Sequence, residues 1–217
     1  MSFSIKASLP ADVRWGSVVT HSFLPHGRLL NRADIYVHQS QAVYSFLYNV
    51  TRAACSDSRE NMADISKAFD RVCEKFGITE LNKYQKEAIL QIVQRKTDVF
   101  INLPTGFGKS LLYQALPLVC DTVRGTTGHI VVVVSPLVNL MKDQVGKLVN
   151  IGIPAVTLSD ISEDNMKAVE RGAFSVVYGS PEAWLKNDRW RKMLASDLYR
   201  KKLCAIAVDE AHVVKQW

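Results

Sequence analysis

The sequence predicts an α/β fold with a doubly wound, mostly parallel sheet and helices on both faces. Apolar segments of strand length alternate with segments of helical periodicity, and a glycine-rich turn joins one strand to one helix. Such alternation implies right-handed crossovers, which place helices on both sides of the sheet. The strands are predicted at 99–103, 130–134, 155–158, 174–178 and 203–208. The intervening helices are predicted at 109–123, 137–150, 162–171, 181–186 and 189–201.

Two more helices are predicted ahead of the first strand. The first begins at Met62, repeats apolar residues every three or four positions and stops at Gly77, and the second occupies about 84–93. Pro117 lies inside the segment 109–123, where we expect it to kink or shorten the helix.

Length and composition predict one domain with an N-terminal extension. The chain has 217 residues with 47% hydrophobic content, enough for one ordinary core. Residues 1–57 lack sustained periodicity, and we expect a partly helical extension of unknown role there. The domain itself is predicted to span 58–217.

Charge and cysteine usage narrow the class of protein. A formal net charge of +6 is compatible with a polyanionic partner but does not require one. The four cysteines are scattered without a C-x-x-C pair, which argues against a zinc site and a disulfide framework. No apolar stretch reaches the roughly 18 to 20 residues that span a bilayer. We therefore expect a soluble, intracellular protein with no membrane partner.

The glycine-rich turn, LPTGFGKS at residues 103–110, has the chemistry of a phosphate-binding loop, and we call it the phosphate loop. Backbone N–H groups converge on phosphate oxygens in such a turn, and the following helix N-terminus adds partial positive charge. Lys109 can reach the terminal phosphates, and Ser110 can offer its hydroxyl to Mg²⁺. We expect the loop to bind a nucleoside triphosphate through Pro104, Thr105, Gly106, Phe107, Gly108, Lys109 and Ser110. The usual pattern begins with glycine where this chain has Leu103, so a tight turn that binds nothing is the alternative.

Two carboxylates, Asp209 and Glu210, directly follow the apolar segment 203–208, and we call them the acid pair. Ligands of open α/β sheets bind at the carboxyl ends of the strands. Asp209 can hold Mg²⁺, while Glu210 can orient and deprotonate an attacking water. The alternative for such a pair is a solvated strand end.

Taken together, these motifs resemble the first motor domain of the RecQ-type ATP-dependent DNA helicases, which are DEAH-box proteins of helicase superfamily 2. The resemblance runs from about residue 76 to 217 and rests on Gln85, the phosphate loop, SPLVNLMKDQ at 135–144, YGSPE at 178–182 and DEAHVVKQW at 209–217. It implies a RecA-like P-loop NTPase fold, ATP and Mg²⁺ as cofactors, and single-stranded DNA or DNA junctions as partners. It also implies 3′-to-5′ unwinding and, in a eukaryote, a nuclear location.

Further residues acquire roles only through this resemblance. It implies that Gln85 reads the adenine edge, and that His212 and Gln216 sense the γ-phosphate. Relatives usually carry an arginine three positions before that glutamine, where this chain has Asn82. Without the resemblance, Gln85 is an exposed glutamine at a helix start.

The same resemblance assigns nucleic-acid contacts to two strand-to-helix turns. Ser135 and Pro136 lie in the first and Ser180 and Pro181 in the second, and Lys142 can add a phosphate contact. The alternative is purely structural, with serine as the helix N-cap and proline as the first helical residue.

Relatives of this type hydrolyse ATP between two RecA-like domains, and the chain stops soon after the DEAH box. We therefore expect weak Mg²⁺-ATP binding, slow hydrolysis and no unwinding without a second domain. Two rivals stay open: an RNA helicase of the DEAD/DEAH type, and a truncated, non-catalytic module that binds ATP or nucleic acid.

Overall fold

The computed structural model describes residues 2–7, 62–96, 98–104 and 106–209, the first segment by its backbone alone. These residues form one six-stranded sheet with strand order β2-β1-β6-β3-β5-β4. Its strands are β1 (Ser2–Ala7), β2 (Val99–Asn102), β3 (Ile130–Val134), β4 (Ala155–Thr157), β5 (Val176–Gly179) and β6 (Leu203–Val208).

Helices connect most of these strands. They are α1 (Met62–Phe76), α2 (Lys83–Val93), α3 (Lys109–Arg124), α4 (Val138–Asn150), α5 (Glu163–Glu170), α6 (Pro181–Lys186), α7 (Asp188–Leu194) and α8 (Asp197–Lys202). None of the described helices is long and apolar enough to cross a bilayer.

Four neighbouring strands, β4, β5, β3 and β6, pair in parallel. Strand β1 pairs antiparallel with both β2 and β6, so β2 runs in the same direction as the parallel group. The predicted α/β class with a mostly parallel sheet and helices on both faces is therefore confirmed. All five predicted strands are present, with ends shifted by up to two residues.

The core has two halves because the sheet is covered on both faces. Along β3, Val131 and Val133 pack into the cluster under α1, α2, α3 and α4. Val132 and Val134 pack into the opposite cluster, which contains Trp184 and other side chains of the helices α5 to α8. Every residue of β3 and of β6 is buried, as expected for parallel strands covered on both sides.

Strand β1 is the largest departure from the sequence prediction. Ser2 lies opposite Asn102 of β2, and Ser4 lies opposite Val208 of β6. The strand therefore separates the ends of β2 and β6 by two strand spacings, roughly 10 Å. Residues 8–61 lie outside the described part of the chain, so the partly helical character expected for the extension stays a prediction there.

Two helix predictions need correction. The segment 189–201 forms two helices, because Ser196 accepts a hydrogen bond from the Tyr199 N–H and starts α8. Helix α3 is not shortened by Pro117; it continues to Arg124 and ends where Gly125, in the left-handed conformation, donates its N–H to the Asp121 carbonyl. Burial of the surrounding apolar face stabilises α3 enough to tolerate the missing N–H of the proline.

Asp121 ties the end of α3 to the start of β3. Its carboxylate accepts hydrogen bonds from the Gly128 and His129 N–H groups at 3.3 and 3.0 Å, and its Oδ1 lies 2.6 Å from His129 Nδ1. Burial acts to raise the pKa of Asp121, but the hydrogen bonds from the His129 side chain and backbone outweigh it and hold the pKa below its usual value.

We expect Asp121→Asn to lower the free energy of unfolding by about 1 to 2 kcal/mol near neutral pH. A carboxyl with a depressed pKa stabilises the fold above its unfolded pKa, and that contribution is lost as the pH falls through its folded pKa. The difference in the free energy of unfolding between wild type and variant should therefore become smaller below about pH 4, as measured by urea titrations. Asp70→Asn, at an exposed position, serves as the control. A difference in unfolding free energy that did not change with pH would contradict this account.

Candidate nucleotide and nucleic-acid site

The phosphate loop connects the end of β2 at Asn102 to the start of α3 at Lys109. Within it, the Phe107 N–H donates to the Pro104 carbonyl at 3.4 Å. Gly106 and Gly108 have φ values of +88° and +71°, which residues other than glycine rarely adopt. Left-handed residues beside right-handed ones form concave turns whose N–H groups can bind an anion. Thr105 lies outside the described residues.

The first turn of α3 differs from most other helix starts in the described part of the chain. Its N-cap is Gly108, and no side chain caps its N–H groups. Five other helices are capped by the side chains of Asn82, Ser162, Ser180, Asn187 and Ser196. Because the uncapped N–H groups of α3 carry the positive end of the helix dipole, this turn is suited to an anion.

Lys109 bends back over the phosphate loop. Its Nζ donates to the carbonyls of Leu103 and Pro104 at 2.7 and 2.9 Å. An ammonium group at a helix N-terminus is unfavourable unless an anion lies nearby. These two contacts hold the ammonium group on the loop that leads into the uncapped N–H groups of α3.

Gln85 is buried, with 5% of its surface exposed, so the description of an exposed helix-start glutamine is wrong. Its Oε1 accepts from the Asn82 N–H at 2.9 Å, and the Asn82 side chain accepts from the Gln85 N–H, forming a capping box at the start of α2. Its Nε2 donates to the Gly108 carbonyl at 3.3 Å. Both ends of the amide thus contact the protein, and adenine recognition by Gln85 stays a prediction.

We expect Gly108→Ala to weaken Mg²⁺-ATP binding about tenfold or more. A Cβ at Gly108 would lie 2.6 Å from Gln85 Nε2, so the substitution breaks the contact between α2 and the loop and strains a left-handed backbone. Gly125→Ala at the other end of α3 is a matched control, because it has a similar φ and no neighbour within 4 Å of its Cβ. Titration with a fluorescent ATP analogue measures both, and equal losses in the two variants would contradict the prediction.

Asp209 follows β6 at the same edge of the sheet, and its N–H donates to the Val134 carbonyl of β3 at 2.8 Å. Burial raises the pKa of Tyr113 well above its usual value, the charges of Tyr178 and Asp209 add to the effect, and a side-chain hydrogen bond with Ser110 opposes it. Ser110 and Asp209 therefore both act on one buried tyrosine. Ser110 lies in the first turn after β2 and Asp209 directly follows β6, and these two strands run in the same direction.

The remaining catalytic candidates, Glu210, His212 and Gln216, lie outside the described residues. Their assignments stay predictions from the sequence.

Of the nucleic-acid candidates in the first turn, Ser135 is 2% exposed and Pro136 is half-buried. Among the described residues, the Ser135 hydroxyl has no hydrogen-bond partner. The N-cap of α4 is Leu137, so the prediction of Ser135 as the helix N-cap is wrong. The exposed Lys142 forms an ion pair with Asp160 at 3.0 Å.

In the second turn, the predicted capping arrangement is confirmed. Ser180 is the N-cap of α6, accepting from the Ala183 N–H at 3.3 Å, and Pro181 is buried in the first turn of the helix. A contact of either turn with nucleic acid stays a prediction.

Sequence reasoning missed a buried polar cluster behind these turns, which we call the tyrosine–glutamine network. Its members are Tyr113, Gln114, Gln144 and Tyr178. The available signal was Gln114, a polar residue inside the apolar run of α3. Its partners come from distant segments, so only the folded chain brings them together.

Comparison with known families agrees with this geometry. The family model described as DEAD/DEAH box helicase matches residues 82–217. The match covers more than half of the chain and includes the phosphate loop, both strand-to-helix turns and the acid pair. The chain belongs to the DEAD/DEAH box helicase family.

Within that family the resemblance to RecQ-type helicases is confirmed by the relatives that match. The ATP-dependent DNA helicase hus2/rqh1 of Schizosaccharomyces pombe is 37% identical over 150 residues, which cover 66% of this chain and 11% of the relative. The ATP-dependent DNA helicase RecQ of Bacillus subtilis is 31% identical over 159 residues, which cover 70% of this chain and 25% of the relative. The ATP-dependent DNA helicase Q1 of Mus musculus is 31% identical over 196 residues, covering 87% and 29%. The chain thus spans between a tenth and three tenths of these relatives.

Proposed function

We propose that this chain is the nucleotide-binding motor domain of a RecQ-like, ATP-dependent DNA helicase. In this proposal it binds Mg²⁺-ATP at the phosphate loop and single-stranded DNA at the adjoining turns of the same sheet edge. The full protein would unwind DNA in the 3′-to-5′ direction, as the family resemblance implies.

The observation that carries the proposal is the first turn of α3. Uncapped helix N–H groups, two glycines with positive φ and the Lys109 ammonium converge there. A cation held at the positive end of a helix is unfavourable unless an anion lies nearby, and a tight turn that binds nothing does not supply one. The triphosphate of ATP supplies the negative charge that this arrangement lacks.

The residues present also fit Mg²⁺. Ser110 and Asp209 offer hard oxygen atoms, and each follows the carboxyl end of one of two strands, β2 and β6, that run in the same direction. Mg²⁺ in nucleotide sites is bound by one or two protein oxygens together with phosphate oxygens and water. When bound there, the ion neutralises charge that develops on the transferred phosphoryl group.

The rest of the hydrolytic chemistry is assigned from the sequence. Glu210 accepts a proton from the attacking water and orients it, and Lys109 neutralises the β- and γ-phosphates. We propose that His212 and Gln216 sense the γ-phosphate, and that Gln85 contacts the adenine after releasing the Gly108 carbonyl. A second RecA-like domain would supply an arginine, worth about 10³- to 10⁵-fold in related phosphoryl-transfer systems.

For nucleic acid, we propose that the turns at Ser135 and Ser180 hold the phosphates of one strand. The support is their position, at the carboxyl ends of the adjacent strands β3 and β5. Pro136 and Pro181 shape these turns, and Lys142 adds a contact after leaving Asp160. Contacts of this kind recognise the backbone without reading sequence.

The experiment is nucleic-acid-stimulated phosphate release by the purified chain. We expect slow release that rises with single-stranded DNA and rises less with RNA of equal length and base composition. Stimulation by RNA alone would favour the RNA-helicase rival. No release above that of Lys109→Ala, under any condition, would favour the non-catalytic module.

A further inference from the structure

The tyrosine–glutamine network joins three separate segments of the domain. Gln114 of α3 donates from Nε2 both to Tyr178 Oη and to Gln144 Oε1, each at 2.8 Å. The rings of Tyr113 and Tyr178 meet edge to face, with centroids 6.3 Å apart and an interplanar angle of 75°. Both tyrosines are 1% exposed and Gln114 is 7% exposed. A buried polar group that loses its hydrogen bond costs free energy. The hydrogen bonds of the network therefore hold these side chains in one arrangement.

One end of the network lies at the nucleotide site. Tyr113 and Gln114 follow Ser110 by three and four residues, so they lie on its face of α3. The Asp209 charge acts on both tyrosine hydroxyls: burial raises the pKa of Tyr113 and of Tyr178, and the nearby carboxylate raises both further. A shift of the first turn of α3 would therefore displace Tyr113 and Gln114, which lie one turn further along the same helix.

The other end lies behind the turns assigned to nucleic acid. Tyr178 belongs to β5 and directly precedes Gly179 and the N-cap Ser180. Gln144 lies on α4, the helix that follows Ser135 and Pro136. The Gln114 amide thus contacts β5, which leads into the second turn, and α4, which follows the first turn.

We propose that Tyr113, Gln114 and Tyr178 are positioning residues that couple nucleotide binding at the phosphate loop to single-strand binding at the two turns. The inference rests on the function proposed above. When nucleotide binds, the uncapped first turn of α3 closes on its phosphate groups. Because Gln114 is one turn further along α3, its two hydrogen bonds carry that displacement to β5 and α4. Coupling of this kind is reciprocal, so bound single strand must tighten nucleotide binding by the same factor.

The test is the coupling factor, measured in both directions. The affinity for a fluorescein-labelled oligothymidylate is measured with and without a saturating non-hydrolysable ATP analogue and Mg²⁺. The affinity for a fluorescent ATP analogue is measured with and without saturating oligothymidylate. For the wild type we expect the two factors to agree and to lie between about 5 and 150.

Tyr178→Phe removes the β5 acceptor of the Gln114 amide, one of its two, and leaves the ring in place. We expect its coupling factor to fall to within about twofold of one, with each single-ligand affinity changed by less than about threefold. The matched control is Tyr199→Phe in the opposite core cluster, where Tyr199 is fully buried and donates its hydroxyl to the Val169 carbonyl at 2.7 Å. The control loses a comparable buried hydrogen bond and should keep the wild-type factor.

Coupling retained in Tyr178→Phe, or lost equally in Tyr199→Phe, overturns the inference. If Tyr178→Phe does not fold, Gln144→Ala at the half-buried end of the network decides the question by the same measurement. Wild-type chain that binds both ligands independently overturns the inference and leaves the proposed function standing. Wild-type chain that binds neither ligand overturns both.

Discussion

Replacing Lys109 by alanine should reduce ATP hydrolysis by about 10²- to 10³-fold, the usual cost of removing one preorganised electrostatic contact. The Lys109 ammonium lies within the phosphate loop, on the carbonyls of Leu103 and Pro104, beside the uncapped first turn of α3. A hydrogen bond to a charged group is worth about 1.5 to 3 kcal/mol, so nucleotide affinity should also fall at least about tenfold.

Phosphate release at saturating nucleotide measures the first effect, and titration with a fluorescent ATP analogue measures the second. Lys147→Ala, an exposed lysine on α4, is the control for a general loss of positive charge. Thermal unfolding of all three proteins shows whether the loop stays folded without its two internal hydrogen bonds. Equal hydrolysis by wild type and Lys109→Ala would mean that the loop does not participate in the reaction.

Glu210→Gln should separate binding from chemistry. Glutamine keeps the size of the side chain but cannot accept a proton, so we expect hydrolysis to fall by about 10²- to 10⁴-fold. Nucleotide affinity should change little, because Asp209 and the phosphate loop are left intact. This split between rate and affinity distinguishes the variant from Lys109→Ala, which lowers both.

Single-turnover phosphate release together with nucleotide titration measures the two quantities independently. Asp209→Asn is the companion variant, and it should lose Mg²⁺-dependent nucleotide affinity as well as rate, since its carboxylate is the proposed metal ligand. A Glu210→Gln protein that hydrolyses ATP at the wild-type rate would exclude Glu210 as the general base.

The parallel part of the fold could be predicted from local sequence because each strand is a short apolar run between helical segments. The residues 130–134 and 203–208 are buried on both faces, and an uninterrupted apolar run indicates such a strand. Strand β1 could not be predicted in this way. Its six residues pair with strands about 95 and 200 residues away, and that pairing is a property of the folded chain.

The candidate site shows the same division. The phosphate loop and Asp209 were predicted because a turn and a strand end are local features, and the structure places both at one edge of the sheet. The burial of Gln85 was missed because its side chain contacts the Gly108 carbonyl, which lies 23 residues away in the sequence. Only the folded chain brings α2 and the loop together. Gln114 was visible in the sequence as a polar residue in an apolar run, but its partners were not.

Isothermal titration calorimetry of the folded chain with ATP and Mg²⁺ tests most directly whether the loop binds a triphosphate. We predict a saturable heat of binding that falls sharply when Mg²⁺ is chelated, with an affinity at least about tenfold lower in Lys109→Ala. A chain with a cooperative unfolding transition that gives no heat at millimolar nucleotide and Mg²⁺ would contradict the account.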